Sequence, residues 1–388
     1  MMAEALVNPS VLLWARDRAR MEPSLLADKT HVRTDRLLDW EKGTARPTFK
    51  QAQDLAKVLH VPFGFLFLPS PPKETLPIPD LRTVENRATG WLSPDLRDVL
   101  ADVLRKQDWY REYLVDQGAG FLPFIGRFTS EDLVVDIAAD VTKTLDLTAA
   151  DRDHAKNWEE FLNLLIDRAE MASVWVMRSG IVGSNTHRPL DVDEFRGFAI
   201  CDKIVPAVFI NGKDVKVAQA FTLMHELAHL WLGESGISDF SISHSSDADQ
   251  NRIERKCNAV AAEVLVPATL LREHWNRQKP IADNAGRLST YFRVSKVVVA
   301  RRAYDLKLIT WETYDAFYQT EADRWRKKTE GNDGGNTYYT LPVRNGKRFT
   351  SAVLQSALEH TLLLRDAGKL LGLSPSKIGQ FAQEAGVG

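Results

Sequence analysis

The sequence predicts an α+β, mostly helical protein: an all-helical N-terminal domain, a central domain with a small sheet, and a helical or α+β C-terminal region. Three observations predict it. Residues 9–68 read as four or five short helices, with Pro9, Pro23 and Pro47 near helix starts, where a missing amide costs little, and Gly43 as a stop. Residues 173–177 and 198–210 are rich in β-branched side chains and read as strands. Residues 69–80 hold five prolines, which deny amides to helix and sheet alike, so a linker separates the first helices from the rest.

The remaining elements follow in order. Ser93 and Pro94 cap a long amphipathic helix over residues 93–114, with Val99, Leu100, Val103, Leu104 and Trp109 set among charges, suited to bridge two domains. Asn211-Gly212 signals a turn after the second strand region. A helix over 215–232 stops at Gly233, a loop rich in Ser and Asp follows, and a helix over 250–265 closes at Pro267. The tail adds helices around 285–328, a Gly/Asn break at 331–336, a hairpin over Arg344-Asn-Gly-Lys347, and helices to the end. The expected divisions are 1–72, 73–125 as linker and bridging helix, 126–280, and 281–388.

Composition narrows the function classes. With 388 residues, 44% hydrophobic and 26% charged, the chain can bury sizeable cores, which excludes a small stapled module or a wholly disordered chain. Fifty Lys and Arg against 52 Asp and Glu exclude a polyanion binder along the whole length, so any nucleic-acid surface is local. Cys201 and Cys257 are too few for a disulfide framework and read as free thiols of a cytoplasmic protein. Glu4 and the lack of a basic start make a poor signal peptide, and no apolar run approaches the roughly 18 residues needed to span a bilayer, so no membrane partner is expected.

The chemistry is carried by His225-Glu226-Leu-Ala-His229 inside a helical pattern. Histidines one turn apart project to the same side, where two imidazoles can hold one zinc ion, and Glu226 sits one step round the helix, placed to reach a water on that ion. At this composition chance gives such a spacing in roughly one chain in a hundred, and the flanks Phe221-Thr-Leu-Met and Leu230-Trp-Leu lower that further, since a buried polar triplet needs a reason. A third ligand is required, and no other histidine repeats the spacing, so a downstream carboxylate is sought. On the helix over 250–265, Ile253, Cys257, Val260, Ala261 and Val264 form the buried stripe. At about 100° per residue Glu254 borders that stripe, whereas Glu263 points to the opposite face, so Glu254 is chosen. Asn258, one turn after Glu254, is placed to fix a ligating imidazole by its second nitrogen, or else is a packing amide. Such a site hydrolyses an amide: zinc acts as Lewis acid, and Glu226 takes a proton from water and passes it to the leaving amine. The strand over 206–211 is a candidate sheet edge for an extended peptide, or else an ordinary buried strand. His244, His274 and Tyr291 are candidates to stabilise the transition state, though each is as readily structural.

Arg196-Gly-Phe, Val208-Phe-Ile-Asn211, the 221–229 run, Glu254-Arg-Lys-Cys-Asn258 and Ala261-Ala-Glu-Val-Leu-Val-Pro267 together resemble the ImmA/IrrE family of bacterial and phage metallopeptidases. The resemblance implies a zincin-like domain over 126–280, with His225, His229 and Glu254 as zinc ligands and Glu226 as acid/base. It also implies a protein substrate, a repressor or antitoxin, in a mobile-element, stress-response or toxin–antitoxin setting. Val266-Pro267 departs mildly from the family's Met-Pro and touches packing only.

The segments 25–43, Arg46-Pro-Thr and 52–59 resemble the lambda-repressor-like (XRE) helix-turn-helix. That implies double-stranded DNA as partner of residues 1–72, often read by a homodimer, with Arg33, Thr34, Arg36, Lys42 and Arg46 facing bases and phosphates. His31 stands where that family usually has Gly. Ten basic against eight acidic residues over 1–72 give only a faint positive surplus. The segment 289–302 resembles a second helix-turn-helix-like element, and Arg301, Arg302, Arg324, Arg326, Lys327 and Lys328 are a candidate nucleic-acid patch or a solvated face. Two functions compete: a zinc metalloendopeptidase fused to a DNA-binding domain, and a DNA-binding regulator or antitoxin-like protein whose peptidase domain serves in sensing or partner binding.

Overall fold

The structure is a computed structural model and describes residues 3–72, 92–238, 250–326 and 337–387. Its contacts separate two compact units, which divide within one helix after Asp102.

The first unit contains α1 (Pro9–Arg18), α2 (Pro23–Lys29), α3 (Thr34–Lys42), α4 (Phe49–Val58) and a 3-10 turn at Phe63–Phe67. Asn8 caps α1 by accepting the Ser10 amide, with Pro9 at the first helical position, and Thr48 and Gln51 form a reciprocal capping box on α4. Gly43, at φ +75°, ends α3 in the left-handed conformation that glycine adopts without strain. Leu12, Leu26, Leu37, Trp40, Leu55 and Leu66 fill a shared core. His31, between α2 and α3, takes φ +55°, which explains why a glycine is the usual occupant of such a turn. The helix α5 (Pro94–Asp116) begins where expected, and Ser93 Oγ accepts the Leu96 amide at 3.1 Å.

The second unit continues from Val103 of α5 and adds α6 (Val134–Thr144), α7 (Ala149–His154) and α8 (Trp158–Met171) before its strands. These are β1 (Trp175–Ser179), the small hairpin β2 (Ile181–Val182) and β3 (Asn185–Pro189), β4 (Gly197–Ile200) and β5 (Ala207–Asn211). After α9 (Gln219–Leu232), β6 (Gly236–Ser238) completes a sheet of order β1-β5-β4-β6, in which β1 and β5 run parallel and β4 is antiparallel to both neighbours. Helices α10 (Gln250–Leu265), α11 (Ala268–His274), α12 (Ile281–Phe292), α13 (Lys296–Asp305), α14 (Trp311–Arg326), α15 (Thr337–Asn345), α16 (Lys347–Leu358), α17 (Leu364–Leu371) and α18 (Ile378–Glu384) follow. The fold is therefore α+β and mostly helical, as the sequence predicts. No described helix is long and apolar enough to cross a membrane.

One open alternative is decided and one expectation is corrected. The strand over 206–211 is not a sheet edge: β5 is hydrogen-bonded to β1 on one side and β4 on the other, and all five of its residues are buried. Arg344-Asn-Gly-Lys347 is not a hairpin either. Gly346, at φ +84°, is a one-residue corner between α15 and α16, and the described C-terminal residues from 281 onward form helices without a strand. The Asn-Gly chemistry is the same, a residue needing positive φ, but Asn345 is used for tertiary bonds. Its side chain accepts from Lys106 Nζ at 2.9 Å and donates to the Leu371 carbonyl, and its own carbonyl accepts from Trp175 Nε1 at 2.6 Å.

The same corner buries Glu170, whose carboxylate accepts the Lys347 amide at 3.0 Å. A Cβ at Gly346 would lie 2.9 Å from Glu170 Oε1 and 2.7 Å from the Trp175 ring, so the glycine is required for space as well as for φ. Burial pushes the Glu170 carboxyl up to about 7, against the pull of the Lys347 amide. Because the folded pKa lies above the unfolded value, Glu170 contributes stability that is fully present below about pH 4.5 and lost as pH rises through about 7, up to about 3 kcal/mol. Glu170→Gln keeps the acceptor and removes the titration. Urea unfolding at pH 5 and pH 8 should show a flatter pH dependence in the variant, and an unchanged slope would refute the assignment.

Candidate metal centre

The centre begins with α9, an apolar helix whose residues are buried along nearly its whole length. Gly233, at φ +75°, ends it, and the Gly126 and Phe128 amides donate to the Leu230 and Trp231 carbonyls at 2.9 and 3.0 Å, satisfying a buried helix end. A Cβ on Gly233 would stand 3.0 Å from Gly126 Cα, so this approach needs glycine at both positions. The helix packs on β4 and β5 and against α10, with Leu223, Leu227, Cys257, Val260 and Ala261 in one core. That packing holds the facing sides of α9 and α10 in fixed register.

On those sides the structure brings together His225, His229 and Glu254, all buried, with one donor atom from each lying within 4.8 Å of the others. The two Nε2 atoms are 3.0 Å apart, and Glu254 places Oε2 at 3.2 Å from His225 Nε2 and Oε1 at 3.3 Å from His229 Nε2. Asn258 Oδ1 lies 3.0 Å from His225 Nδ1. Since an amide oxygen only accepts, that bond places the His225 proton on Nδ1 and turns the lone pair of Nε2 toward Glu254 and His229. Burial pushes His225 below its ordinary pKa although Glu254 opposes this, which favours the neutral imidazole. Burial alone would raise the Glu254 carboxyl, but a proton on the facing nitrogen of His225 or His229 outweighs it and holds the group down to about 2, so any proton in the cluster sits on an imidazole before it sits on Glu254. Electron pairs from two imidazoles and a carboxylate thus converge on one point, an arrangement that a divalent cation relieves. The donor set fits such an ion.

Glu263 lies elsewhere: it pairs with Arg302 and accepts the Ala268 amide, capping α11. Neither thiol joins the cluster. Burial pushes Cys201 up to about 12 and Cys257 well above its ordinary value, so both stay protonated.

Glu226 is also fully buried, on the same helix. A Cβ at Gly197 of β4 would lie 2.8 Å from Glu226 Oε1 and Thr222 Cγ2 and 3.0 Å from the Phe209 carbonyl. Gly197 therefore leaves the room in which the Glu226 carboxylate sits, a role the sequence reading did not assign. Its signal was a glycine opening an apolar strand, which marks close approach of another group. In Gly197→Ala the rigid Phe209 carbonyl cannot yield, so the Glu226 side chain shifts. The variant should keep its metal and lose at least about tenfold in kcat, read by elemental analysis beside turnover. Full activity would remove Gly197 from the site.

His274 and Tyr291 lie against each other, their ring centroids 4.7 Å apart and their planes tilted by 59°, and are not part of the cluster, and His244 falls outside the described residues. Arg33, Thr34, Arg36, Lys42 and Arg46 are all exposed, at the start of α3, its end, and the loop beyond. The Arg33 guanidinium is engaged by Asp35 of the same helix, which holds the Asp35 carboxyl below its ordinary range. Arg301 and Arg302 are engaged as well, with Asp305 and Glu263, and Arg324 pairs with Glu321. The Arg326 side chain, Lys327 and Lys328 lie outside the described residues.

No curated protein and no solved structure matches the chain. A model described as a domain of unknown function, DUF8813, matches residues 345–384, from the Asn345 corner to α18. Residues 169–304, which carry the whole His225, His229 and Glu254 cluster together with Glu226 and Gly197, match the model of the IrrE N-terminal-like domain of the Peptidase M78 family, a similarity that supports a peptidase domain of ImmA/IrrE type in this part of the chain.

Proposed function

We propose that the protein is a zinc-dependent metalloendopeptidase joined to a DNA-reading domain, and that it cuts a regulatory protein, a repressor or an antitoxin. The observation that carries the peptidase reading is the convergence of His225 Nε2, His229 Nε2 and the Glu254 carboxylate on one point, with Glu226 on the same helix. His225, His229 and Glu254 would hold the ion, and Asn258 would fix the His225 ring. When bound, zinc supplies a Lewis acid for the attacking water and the scissile carbonyl. Glu226 takes the proton from that water and returns it to the leaving amine, the task of a carboxylate shielded from bulk solvent beside the reacting atoms. The test uses purified full-length chain with proteins encoded beside it. Cleavage of one of them that stops with a chelator and returns with zinc supports the reading, and cleavage indifferent to the chelator overturns it.

The DNA-reading half rests on the resemblance of residues 25–59 to the XRE helix-turn-helix, supported by five exposed polar side chains around α3. This observation also favours the second reading, a DNA-binding regulator whose peptidase domain senses or binds a partner. Arg36, exposed on the first turn of α3, is the residue to test. Arg36→Ala should weaken binding to its own promoter at least about tenfold in a gel-shift assay at fixed salt, with no change in zinc content. Equal binding by both proteins would remove Arg36 from the interface.

A further inference from the structure

The second unit holds a cavity of about 510 Å³ away from the metal centre, bounded by α6, α7, α8 and the C-terminal end of α10. That volume is in the range of small-molecule sites. Its wall is mainly apolar, with Ala138, Leu147, Phe161, Leu165 and Leu270 contributing. Two cations line it, the exposed Lys143 and the more deeply held Arg152. Its guanidinium donates to the Val264 carbonyl at 2.6 Å and lies 5.7 Å over the Phe292 ring, and no carboxylate among the described residues pairs with it. The acids nearby are committed elsewhere or turned to solvent. All three line the cavity: Asp151 pairs with Arg168 and caps α7, Glu263 pairs with Arg302, and Asp153, which attracts the Arg152 guanidinium without an ion pair, is exposed. Burial pushes the Arg152 pKa down, the mark of a cation held away from water.

A largely buried guanidinium that no carboxylate touches is costly, and a carboxylate in contact satisfies it best, because the planar fork matches two oxygens. An apolar wall of this size needs an apolar body. We infer that the cavity is a binding site for a small amphipathic carboxylate, its head on Arg152 and its alkyl chain along Leu147, Phe161, Leu165 and Leu270. The site is independent of the peptidase reading, and its test needs no hydrolysis.

The full-length chain is titrated by calorimetry with hexanoate, octanoate and decanoate below their micelle-forming concentrations, and with decanol. Saturable binding of one carboxylate per chain is expected, tightening by up to about fourfold per added methylene, with decanol at least about tenfold weaker than decanoate. Arg152→Gln should weaken decanoate at least tenfold and leave decanol unchanged. Leu270→Glu, at a half-buried wall position, places a carboxylate of the protein's own in the groove and should abolish binding without touching Arg152. No saturable binding, equal affinity for decanol and decanoate, or indifference to both substitutions would each overturn the assignment.

Discussion

Glu226→Gln is expected to lower peptide-bond hydrolysis by about a thousandfold or more while zinc content stays at the wild-type level. Glu226 lies one residue from His225 but outside the cluster of converging donors, so its removal deprives no ion of a ligand. Gln is isosteric, so the space opposite Gly197 is filled as before and the packing of α9 on β4 is kept. What is lost is the base. An amide neither takes a proton from water nor returns one to the leaving amine, and such transfer is worth about 10² to 10⁴ in rate. The outcome is therefore a split: kcat collapses, metal stays, and the unfolding temperature moves little. Substrate affinity, measured with the inactive variant, should be near that of the wild type. Loss of zinc in Glu226→Gln would show that the carboxylate is a ligand, and unchanged turnover would show that hydrolysis proceeds without it.

The parts of the site that were legible in the sequence are those fixed by helical periodicity. A step of four positions from His225 to His229, and again from Glu254 to Asn258, puts each pair on one side of its own helix, so the facing pairs could be named without coordinates. The same arithmetic separated Glu254 from Glu263, which the structure places against Arg302. Gly197 was not legible in that way. Its role depends on how β4 packs over α9, a long-range relation that no spacing encodes. The Asn345-Gly346 corner misled for a related reason. A positive-φ glycine is needed both in a tight hairpin and between two helices, and what decides is the buried partners of Asn345, namely Lys106, Trp175 and the Leu371 carbonyl. The sequence left β5 open between an edge and a buried strand because strand order, unlike strand existence, is set by tertiary pairing: β1, from before the small hairpin, pairs with the side of β5 that β4 leaves, and the buried alternative holds.

The second large effect separates the two glutamates of α10 in opposite senses. Glu254→Ala removes the only carboxylate of the described donor cluster and leaves two buried imidazoles facing each other at 3.0 Å, too few ligands for a tetrahedral zinc site. Zinc content after dialysis against a weak chelator should fall from near one per chain to near none. The stabilisation that bound zinc would give the wild type, about 2.7 kcal/mol at a hundred times its Kd, should be absent from the variant. Glu263→Ala does the reverse. It strands Arg302, which is buried, without its ion-pair partner, a loss of about 3 to 5 kcal/mol in stability, yet it touches no donor of the cluster, so zinc remains. Asn258→Ala falls between them. The imidazole of His225 keeps its place on α9 but loses the bond that sets its tautomer, and metal affinity should drop by about 10- to 100-fold with little change in metal-free stability. Zinc retained in Glu254→Ala and lost in Glu263→Ala would exchange the roles of the two acids and overturn the site. Zinc retained by all three variants would mean that α9 binds the metal without α10.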